Sequence, residues 1–370
     1  MPIQKLESKM LDESSTQLLG SRNIIINGDM RIYQRGVAAN TVGQGSAALY
    51  SIDRWGCQDS STSDFIVDQD TDVPTGIGFT KSLKFTVYST ASSPTFSSFY
   101  QNIEGYLLQR LAWGTAGAKN VTLSFWVKCS VTGSYSVCLR SYNGSTLRSY
   151  PTLFTVNATN TWEYKTITVP GDTVMVPQLD NNLGLTVFFT PGISSGSAYG
   201  GTANQWATAN YHGASSGSNL MATQGAIMRI TGIQLEEGSV ATSFEHRPYP
   251  LELALCQRYY FTTLNQSYRA AWHGLGTGNY VMHGVSKFPV TMRTAPSVAV
   301  YAYHLEASGL DIGDGRNGVA VYNGGLAAYF THTFGYGVRS SADAIFGINA
   351  GENTSNNVHY AAGYVANAEL

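Results

Sequence analysis

Aromatic side chains outside the clearest strand patterns are the residues of this sequence with the most evident use in binding chemistry. An aromatic ring presents a flat apolar surface, and amide or carboxylate neighbours can hydrogen-bond to hydroxyl groups at its rim, so the combination suits a sugar ring. The residues that we identify as candidate glycan contacts are Trp206, Tyr211, Trp272, Tyr301, Tyr303, Tyr322 and Tyr336. The alternative for each of them is packing, because Tyr and Trp also suit half-buried strands.

A second set of side chains carries oxygen atoms that suit a calcium ion. Asn27 and Asp29 flank Gly28 in a turn near the start of the chain, and Glu237 ends the run AIMRITGIQLEE. Calcium prefers clusters of carboxylate and amide oxygens, so these residues could share one structural ion if the two segments meet. The alternative is that Asn27 and Asp29 only cap their own turn. The sequence requires no other cofactor.

Patterns associated with catalysis are weak, and the sequence predicts a protein that is not an enzyme. The seven histidines are scattered and contain no HExxH zinc motif. GxSxG occurs around Ser194 and Ser215, but both matches lie in a Gly- and Ser-rich segment rather than between a strand and a helix. The stretch LDIGDGRNG lacks the later ligands of a calcium loop and favours a glycine-rich hairpin tip.

Asp53, Arg54 and Trp55 are adjacent residues with two interpretations. A tryptophan stacks on sugars, and an aspartate and an arginine can bind their hydroxyl groups. However, a charge that enters a protein core is tolerated only when it is paired. We therefore favour a buried tryptophan beside a paired aspartate and arginine.

The charge and hydropathy of the chain exclude two classes of partner. Charged residues are 12% of the sequence and the net charge is −2, with no basic block that could meet nucleic-acid phosphates. No segment approaches the roughly 18 consecutive apolar residues of a membrane span. The start, MPIQKLESKM, lacks the apolar region of a secretory signal. The sequence thus predicts neither nucleic-acid binding nor membrane insertion.

Residues 23–248 contain short alternating apolar runs separated by turn residues, a pattern that predicts an antiparallel β-sandwich. This sandwich would position the candidate binding residues of the first domain. The run NIIINGDMRIYQRG contributes a strand signal, and VTLSFWVKCSVTGSYSVCLRS indicates a hairpin. Cys129 and Cys138 could face each other across that hairpin, although free buried thiols are expected. A helical turn is expected at GYLLQRLAW. Residues 191–224 predict a long loop of the kind that often carries function.

The segments at either side of this domain have different patterns. The closing strand, IMRITGIQLEE, is apolar on both faces, and a bulge near Gly232 could switch its register. Residues 249–370 begin with a short helix at 251–258 and return to strand signals, which predicts a second, smaller β domain that could bind the host receptor. Residues 1–22 predict an N-terminal attachment arm or short helix, with a frayed terminus as the alternative.

Several of these runs together resemble a recurrent module of structural proteins from tailed phages and prophages. The runs are NIIINGDMRIYQRG, YSIDRW, VTLSFWVK, NTWEYKTITVPGD and ITGIQLEEGSVATSFEHRPYPLELALCQRYY. The module is similar in turn to carbohydrate-binding modules with a jelly-roll sandwich, many of which carry a structural calcium. The resemblance extends from Asn23 to Tyr260, and beyond it only TMRTAPSV is similar.

The resemblance implies an all-β protein, with a jelly-roll sandwich followed by the smaller β domain. It implies a virion location, with assembly in the host cytoplasm and release by lysis. The expected role is a tail fibre, often a homotrimer, that attaches to other tail or baseplate proteins by its N-terminus and recognises host surface polysaccharide. The alternative is a head or tail decoration protein without a receptor role.

Overall fold

The computed structural model describes residues 22–36, 40–42, 49–60, 64–263, 275–276, 285–305, 339–340, 344–346 and 358–370. The predicted attachment arm lies outside these residues except for Arg22. The chain forms two compact units. Within the described residues, the first unit contains 22–31, 40–42, 49–50, 55–60 and 64–247, and the second contains 32–36, 51–54 and the segments from 248 onward.

The first unit is built from strands, as the alternating pattern predicted. In chain order they are β1 (Asn40–Val42), β2 (Leu49–Tyr50), β3 (Gly56–Asp59), β4 (Phe65–Asp70), β5 (Ser82–Val87), β6 (Ser97–Glu104), β7 (Val121–Cys129), β8 (Gly133–Tyr142), β9 (Leu147–Val156), β10 (Glu163–Val169), β11 (Leu183–Gly192), β12 (Gly200–Gly201), β13 (Gly213–Ala214) and β14 (Ile227–Glu237). A 3₁₀ helix at Gly105–Leu111 confirms the predicted helical turn, and a second one spans Leu220–Ala222.

Two six-stranded antiparallel sheets pack face to face, which confirms the predicted antiparallel jelly-roll β-sandwich. Sheet I has the order β1-β4-β5-β14-β7-β10, and sheet II has the order β2-β3-β6-β11-β8-β9. The core between them is aromatic. Phe125 of sheet I lies 5.1 Å from Phe189 of sheet II, ring centroid to centroid, and Phe85 lies 6.3 Å from Phe99. Such pairs add specific geometry to a large burial of apolar surface.

The predicted bulge in β14 is confirmed and explains its two apolar faces. Met228 pairs with Cys129 and Ile230 with Val127, but after a register shift Leu235 pairs with Leu123. Paired residues project to the same side of a sheet. The bulge therefore changes which residues of β14 face the core. They are the even-numbered residues Met228 and Ile230 before the bulge, and the odd-numbered Leu235 after it. Gly232 lies at this bulge with a φ of +62°.

The predicted hairpin between β7 and β8 is wrong. β7 pairs with β14 and β10 in sheet I, whereas β8 pairs with β11 and β9 in sheet II. The turn between them carries the chain from one sheet to the other, because each strand finds its partner elsewhere in the sequence. Cys129 and Cys138 therefore lie in different sheets, and both are buried free thiols, as are Cys57 and Cys256.

The isoleucine run at Ile24–Ile26 is buried but forms no strand within residues 22–36. Asn27 and Met30 have φ values of 57° and 60°, in the left-handed region that interrupts an extended chain. The amide side chain of Gln101 hydrogen-bonds both the N–H and the C=O of Ile26, at 2.8 and 2.7 Å. A side chain thus replaces the partner strand that the sequence pattern had predicted.

The second unit contains a helix and strands. The helix α1 (Tyr249–Gln257) confirms the predicted short helix. The strands are β15 (Tyr260–Thr262), β16 (Leu275–Gly276), β17 (Val285–Lys287), β18 (Ser297–Leu305), β19 (Arg339–Ser340), β20 (Ala344–Phe346) and β21 (Val358–Asn367). β21 pairs with β15, β16 and β18, and β20 pairs with β17 and β19, all antiparallel.

Candidate functional site

The face of sheet II that points away from the core carries the candidate site. Phe99 and Phe189 stack in the core at 5.2 Å, and side chains alternate along a strand, so Tyr100 and Phe188 point outward. The strand registers align one outward row as Tyr50, Gly56, Tyr100, Phe188, Cys138 and Pro151. The adjacent row is Asn102, Thr186, Arg140 and Ser149. We call this surface the outer face of sheet II.

The first row forms a band of aromatic rings. The Tyr100 ring lies 6.5 Å from Tyr50 and 5.4 Å from Phe188, centroid to centroid. A Cβ atom at Gly56 would lie 2.7 Å from Cζ of Tyr100, so the absence of a side chain there lets the Tyr100 ring lie over the backbone. Tyr211 packs against the cluster of Tyr100, Cys138 and Phe188. Tyr100 and Phe188 are 5% and 1% exposed, so they are packing residues, and Tyr50 and Tyr211 are the partly exposed rings of the band. A sugar ring could stack on such partly exposed rings.

Arg140 is the charged group of the second row. Its Nη1 donates to Oδ1 of Asn210 and lies 3.0 Å from Nε2 of His212. Its guanidinium carbon lies 4.5 Å from the centroid of Phe188, in cation–π contact. Burial lowers the pKa of Arg140, against the smaller opposing effects of Cys138 and Tyr100.

His212 is held as a neutral ring. Its centroid lies 4.0 Å from that of Phe96 and 4.4 Å from that of Phe188. Burial, and secondly the charge of Arg140, lower the pKa of His212 to about 3. Since arginine can only donate, we assign Nε2 as the acceptor and place the proton on Nδ1. Nδ1 is buried and has no hydrogen-bond partner among the described residues.

Small polar residues of sheet II fix the loop that carries Asn210, Tyr211 and His212. Thr190 Oγ1 donates to the carbonyl of His212 at 2.6 Å, and the amide N–H of Ala214 donates to Ser136 Oγ. Ala207 pairs with Ser149 through two backbone hydrogen bonds, at the edge strand β9. The predicted long loop is therefore anchored at several points along sheet II.

The two predicted loop aromatics occupy different environments. Tyr211 contributes to the outer face of sheet II, as described above. Trp206 lies 5.3 Å from Trp113 and 5.5 Å from Tyr150, centroid to centroid, and its Nε1–H donates to the carbonyl of Pro170 at 2.8 Å. These contacts favour the packing alternative for Trp206. Its role as a glycan contact stays a prediction.

The remaining predicted glycan contacts belong to the second unit. Tyr301 and Tyr303 lie in β18, where only the backbone is described. Trp272, Tyr322 and Tyr336 lie outside the described residues. Their roles remain predictions.

The predicted calcium ligands already have charged partners. Asp29 forms an ion pair with Arg31, and Glu237 pairs with Lys119 at 2.5 Å. Within the described part of the chain, no three His, Cys, Asp or Glu side chains form a group that could hold a metal. This pairing does not favour a cation at Asn27, Asp29 and Glu237. Calcium binding there stays a prediction, which a melting curve with and without chelator would test.

Asp53, Arg54 and Trp55 are all buried but belong to different units. Trp55 packs on Phe99 and Phe189 in the first unit. In the second, Asp53 accepts hydrogen bonds from the backbone N–H and the Nε2 of Gln34, at 2.6 and 2.8 Å. Burial raises the pKa of Asp53 to about 6, against the opposing effect of Arg35. These contacts support the packing interpretation.

Arg140 is not among the residues predicted from the sequence. It lies in a strand whose neighbours Leu139 and Ser141 are both buried. The sequence signal that could have found it is the alternation of side chains along β8. Val137 and Leu139 face the core, so Arg140 lies on the opposite face of the strand, together with Cys138 and Ser136. A charged residue on a face of small side chains indicates a surface that something else covers or contacts.

Comparison with known proteins finds no matching family model and no matching curated protein. Among solved structures, the chain is similar to the enzymatically active domain of tailspike protein 4 of bacteriophage CBA120, with a TM-score of 0.33 and 14% identity, over 58% of this chain and 21% of that chain. It is also similar to a CBM4 structure, with a TM-score of 0.30 and 17% identity, over 57% of this chain and 97% of that chain. The CBM22-1 and GH10 modules of xylanase 10B from Clostridium thermocellum, complexed with xylohexaose, match with a TM-score of 0.31 and 10% identity, over 59% of this chain and 29% of that chain. The fold assignment rests on the two sheets of this chain. Among the described residues, no helix has the length and apolar character needed to cross a membrane.

Proposed function

We propose that the first β-sandwich binds a glycan on the outer face of sheet II. The observation that carries this proposal is a partly exposed aromatic ring beside exposed and partly exposed polar groups on one anchored loop and strand. Tyr211 supplies the ring, and Asn210 and Arg140, which hydrogen-bond each other, supply polar groups next to it. Tyr100 and Phe188 are buried below Tyr211 and hold it in place, which suits a preformed site.

The wider proposal is that this protein is a phage virion component, with a tail fibre as the first candidate. The sequence resemblance between Asn23 and Tyr260 supports it, together with a composition low in charge. In this role the N-terminus attaches to tail or baseplate proteins, the chain forms a homotrimer, and the protein recognises host surface polysaccharide without enzymatic activity. A decoration protein without a receptor role is the second candidate.

Binding of the labelled full-length protein to bacteria, with and without periodate treatment, tests glycan recognition. We expect saturable binding that periodate abolishes and that Tyr211→Ala reduces at least fivefold. Tyr164→Ala is the matched control, because Tyr164 is an exposed tyrosine of sheet I, next to Trp126. Binding that resists periodate, or that both variants reduce equally, would contradict the proposal.

Immunogold labelling of particles from the phage or prophage that encodes the chain tests the virion role. Label at the tail tip, with cell binding, supports the fibre. Label on the head or along the tail, without cell binding, supports the decoration protein, and unlabelled particles exclude both. Sedimentation equilibrium tests the homotrimer, and an assay for released reducing sugar tests the absence of enzymatic activity.

A further inference from the structure

One end of the sandwich exposes a large share of its apolar side chains. This end is formed by the 3₁₀ helix Gly105–Leu111, the connection between β10 and β11, and the turn after β14. It carries six of the twelve large apolar side chains that are exposed among the described residues, and these are Val240 and a set that we call the end patch: Tyr106, Leu107, Val174, Val176 and Leu179. Single exposed apolar residues are ordinary, whereas a cluster marks a surface that something covers.

The backbone below the end patch has a fixed arrangement. The N–H of Tyr106 donates to the carbonyl of Asp180 at 2.9 Å. A Cβ atom at Gly105 would lie 2.9 Å from Cα of Leu179, so the 3₁₀ helix and the β10–β11 connection pack directly on each other. The end patch is therefore a preformed surface.

The chain enters the sandwich beside the end patch. The carbonyl oxygen of Arg22 accepts a hydrogen bond from Nη2 of Arg110 at 2.8 Å, and Nε of Arg22 lies 3.6 Å from Oε2 of Glu236. Side chains three residues apart share one face of a 3₁₀ helix, so Leu107 lies on the face of Arg110. The 21 residues before Arg22 are thus attached next to an exposed leucine.

The residues just before this attachment point are apolar. Leu18 and Leu19 precede Arg22 by four and three positions and follow the polar run DESSTQ. Since each residue spans at most about 3.5 Å, both leucines stay within about 14 Å of Arg22. Groups tethered by such short linkers meet at effective concentrations of about millimolar. The tether therefore favours these leucines over a second copy of the chain as the occupant of the end patch.

We infer that Leu18 and Leu19 pack on the end patch beside Leu107, and that this contact holds the base of the N-terminal segment on the sandwich. Burial of apolar surface on both sides stabilises the contact. It sets the direction in which residues 1–17 leave the sandwich toward an attachment partner. The inference goes beyond the proposed function, because the contact does not depend on glycan binding.

Thiol accessibility tests the inference on the full-length protein. The four native cysteines are buried free thiols, and burial raises the pKa of each, so they react slowly and an introduced thiol dominates the signal. We expect Leu18→Cys or Leu19→Cys to react with a maleimide at least fivefold more slowly than Ser15→Cys. Ser15 is the control because it lies in the polar run of the same segment.

A second substitution identifies the surface that protects the cysteine. Leu107→Ser should raise the rate of the protected cysteine to that of Ser15→Cys. Leu49→Ser should leave it slow, because Leu49 lies in β2, away from the end patch, and is 40% exposed, against 39% for Leu107. The two changes are thus matched in chemistry and in exposure.

Each other outcome overturns the inference. Equal rates at Leu18, Leu19 and Ser15 would show that the leucines do not pack, and protection that survives Leu107→Ser would place them elsewhere. Protection that fades on dilution would assign the end patch to a second copy, and protection that appears only in assembled particles would assign it to another virion protein. If Leu107→Ser does not fold, the comparison with Ser15→Cys in the wild-type background still decides.

Discussion

At the scale of single residues, polar side chains here act as substitutes for missing backbone partners. Gln101 provides the clearest case, since its amide satisfies both the N–H and the C=O of Ile26 inside the core. Asn23 does the same nearby, because its Oδ1 accepts from the N–H groups of Ile25 and Leu235, at 2.9 and 3.0 Å. Buried backbone groups need such partners, so these amides allow an irregular segment to lie against the sandwich.

Replacing Gln101 by leucine tests this role. The change introduces an apolar side chain of similar size and leaves the N–H and C=O of Ile26 buried without the Gln101 amide as their partner. Each unsatisfied group costs about 1–3 kcal/mol, so the two groups together should lower the free energy of unfolding by about 2–6 kcal/mol in urea denaturation. Gln224→Leu is the control, because Gln224 is exposed and makes one bond of 3.3 Å to Tyr88. Equal losses in the two variants would contradict this account.

The raised pKa of Asp53 should make the stability of the folded protein depend on pH. Burial raises its pKa in the folded protein from 3.8 to about 6, so the folded state holds the proton more tightly than the unfolded state. The carboxyl group therefore favours folding at low pH, and this contribution is lost as the pH rises from about 4 through 6. The loss amounts to about 3 kcal/mol.

The measurement is the difference between wild type and Asp53→Asn in calorimetric melting temperature across pH 4–7. Other carboxylates titrate in both proteins, so the difference isolates Asp53. We expect the melting temperature of the wild type to fall relative to that of the variant as the pH rises to about 6. A constant difference would show that the pKa of Asp53 is ordinary.

At the scale of elements, the sequence predicts local features well and strand partners poorly. The bulge at Gly232 and the helix Tyr249–Gln257 followed from local patterns, namely the parity of apolar residues and their helical spacing. The partners of β7 and β8 did not, because a short turn between two alternating runs has the same local pattern whether it joins neighbours in one sheet or crosses between sheets. The candidate site was missed for the same reason, since the rows that gather Tyr100, Phe188 and Arg140 exist only once the strand order is known.

The bulge in β14 depends on Gly232 for two reasons. Its φ of +62° disfavours other residues, and a Cβ atom there would lie 2.5 Å from Cζ of Phe79. Gly232→Ala should therefore lower the free energy of unfolding by more than about 1 kcal/mol, the usual scale of strain at a left-handed position. Gly225→Ala separates the two causes, because Gly225 has a φ of +73° and open space around it. An equal effect of both changes would show that contact with Phe79 adds nothing.

At the scale of the whole molecule, the two units do not follow the linear order of the sequence. Residues 32–36 and 51–54 group with the segments after residue 248 in the second unit. The predicted division at residues 248 and 249 assigned these short segments to the first domain, because nothing in their composition separates them from their neighbours. Within the second unit, Glu369 forms ion pairs with Arg35 and Arg54, and Arg54 lies 3.4 Å from the ring centroid of Tyr259.

Glu369 should accordingly be important for the stability of the second unit. Its side chain and that of Arg54 are 5% and 1% exposed, so Glu369→Gln removes a negative charge that pairs with the largely buried guanidinium groups of Arg35 and Arg54. Loss of one partner of a buried pair costs about 3–5 kcal/mol, which calorimetry of the full chain would detect as a lower melting transition. Glu237→Gln is the control, because the Glu237–Lys119 pair is 26% and 48% exposed and such pairs contribute about 0–1 kcal/mol. If the two variants melt alike, the ion pairs of Glu369 do not stabilise the second unit, and packing of segments 32–36 and 51–54 must hold it together without them.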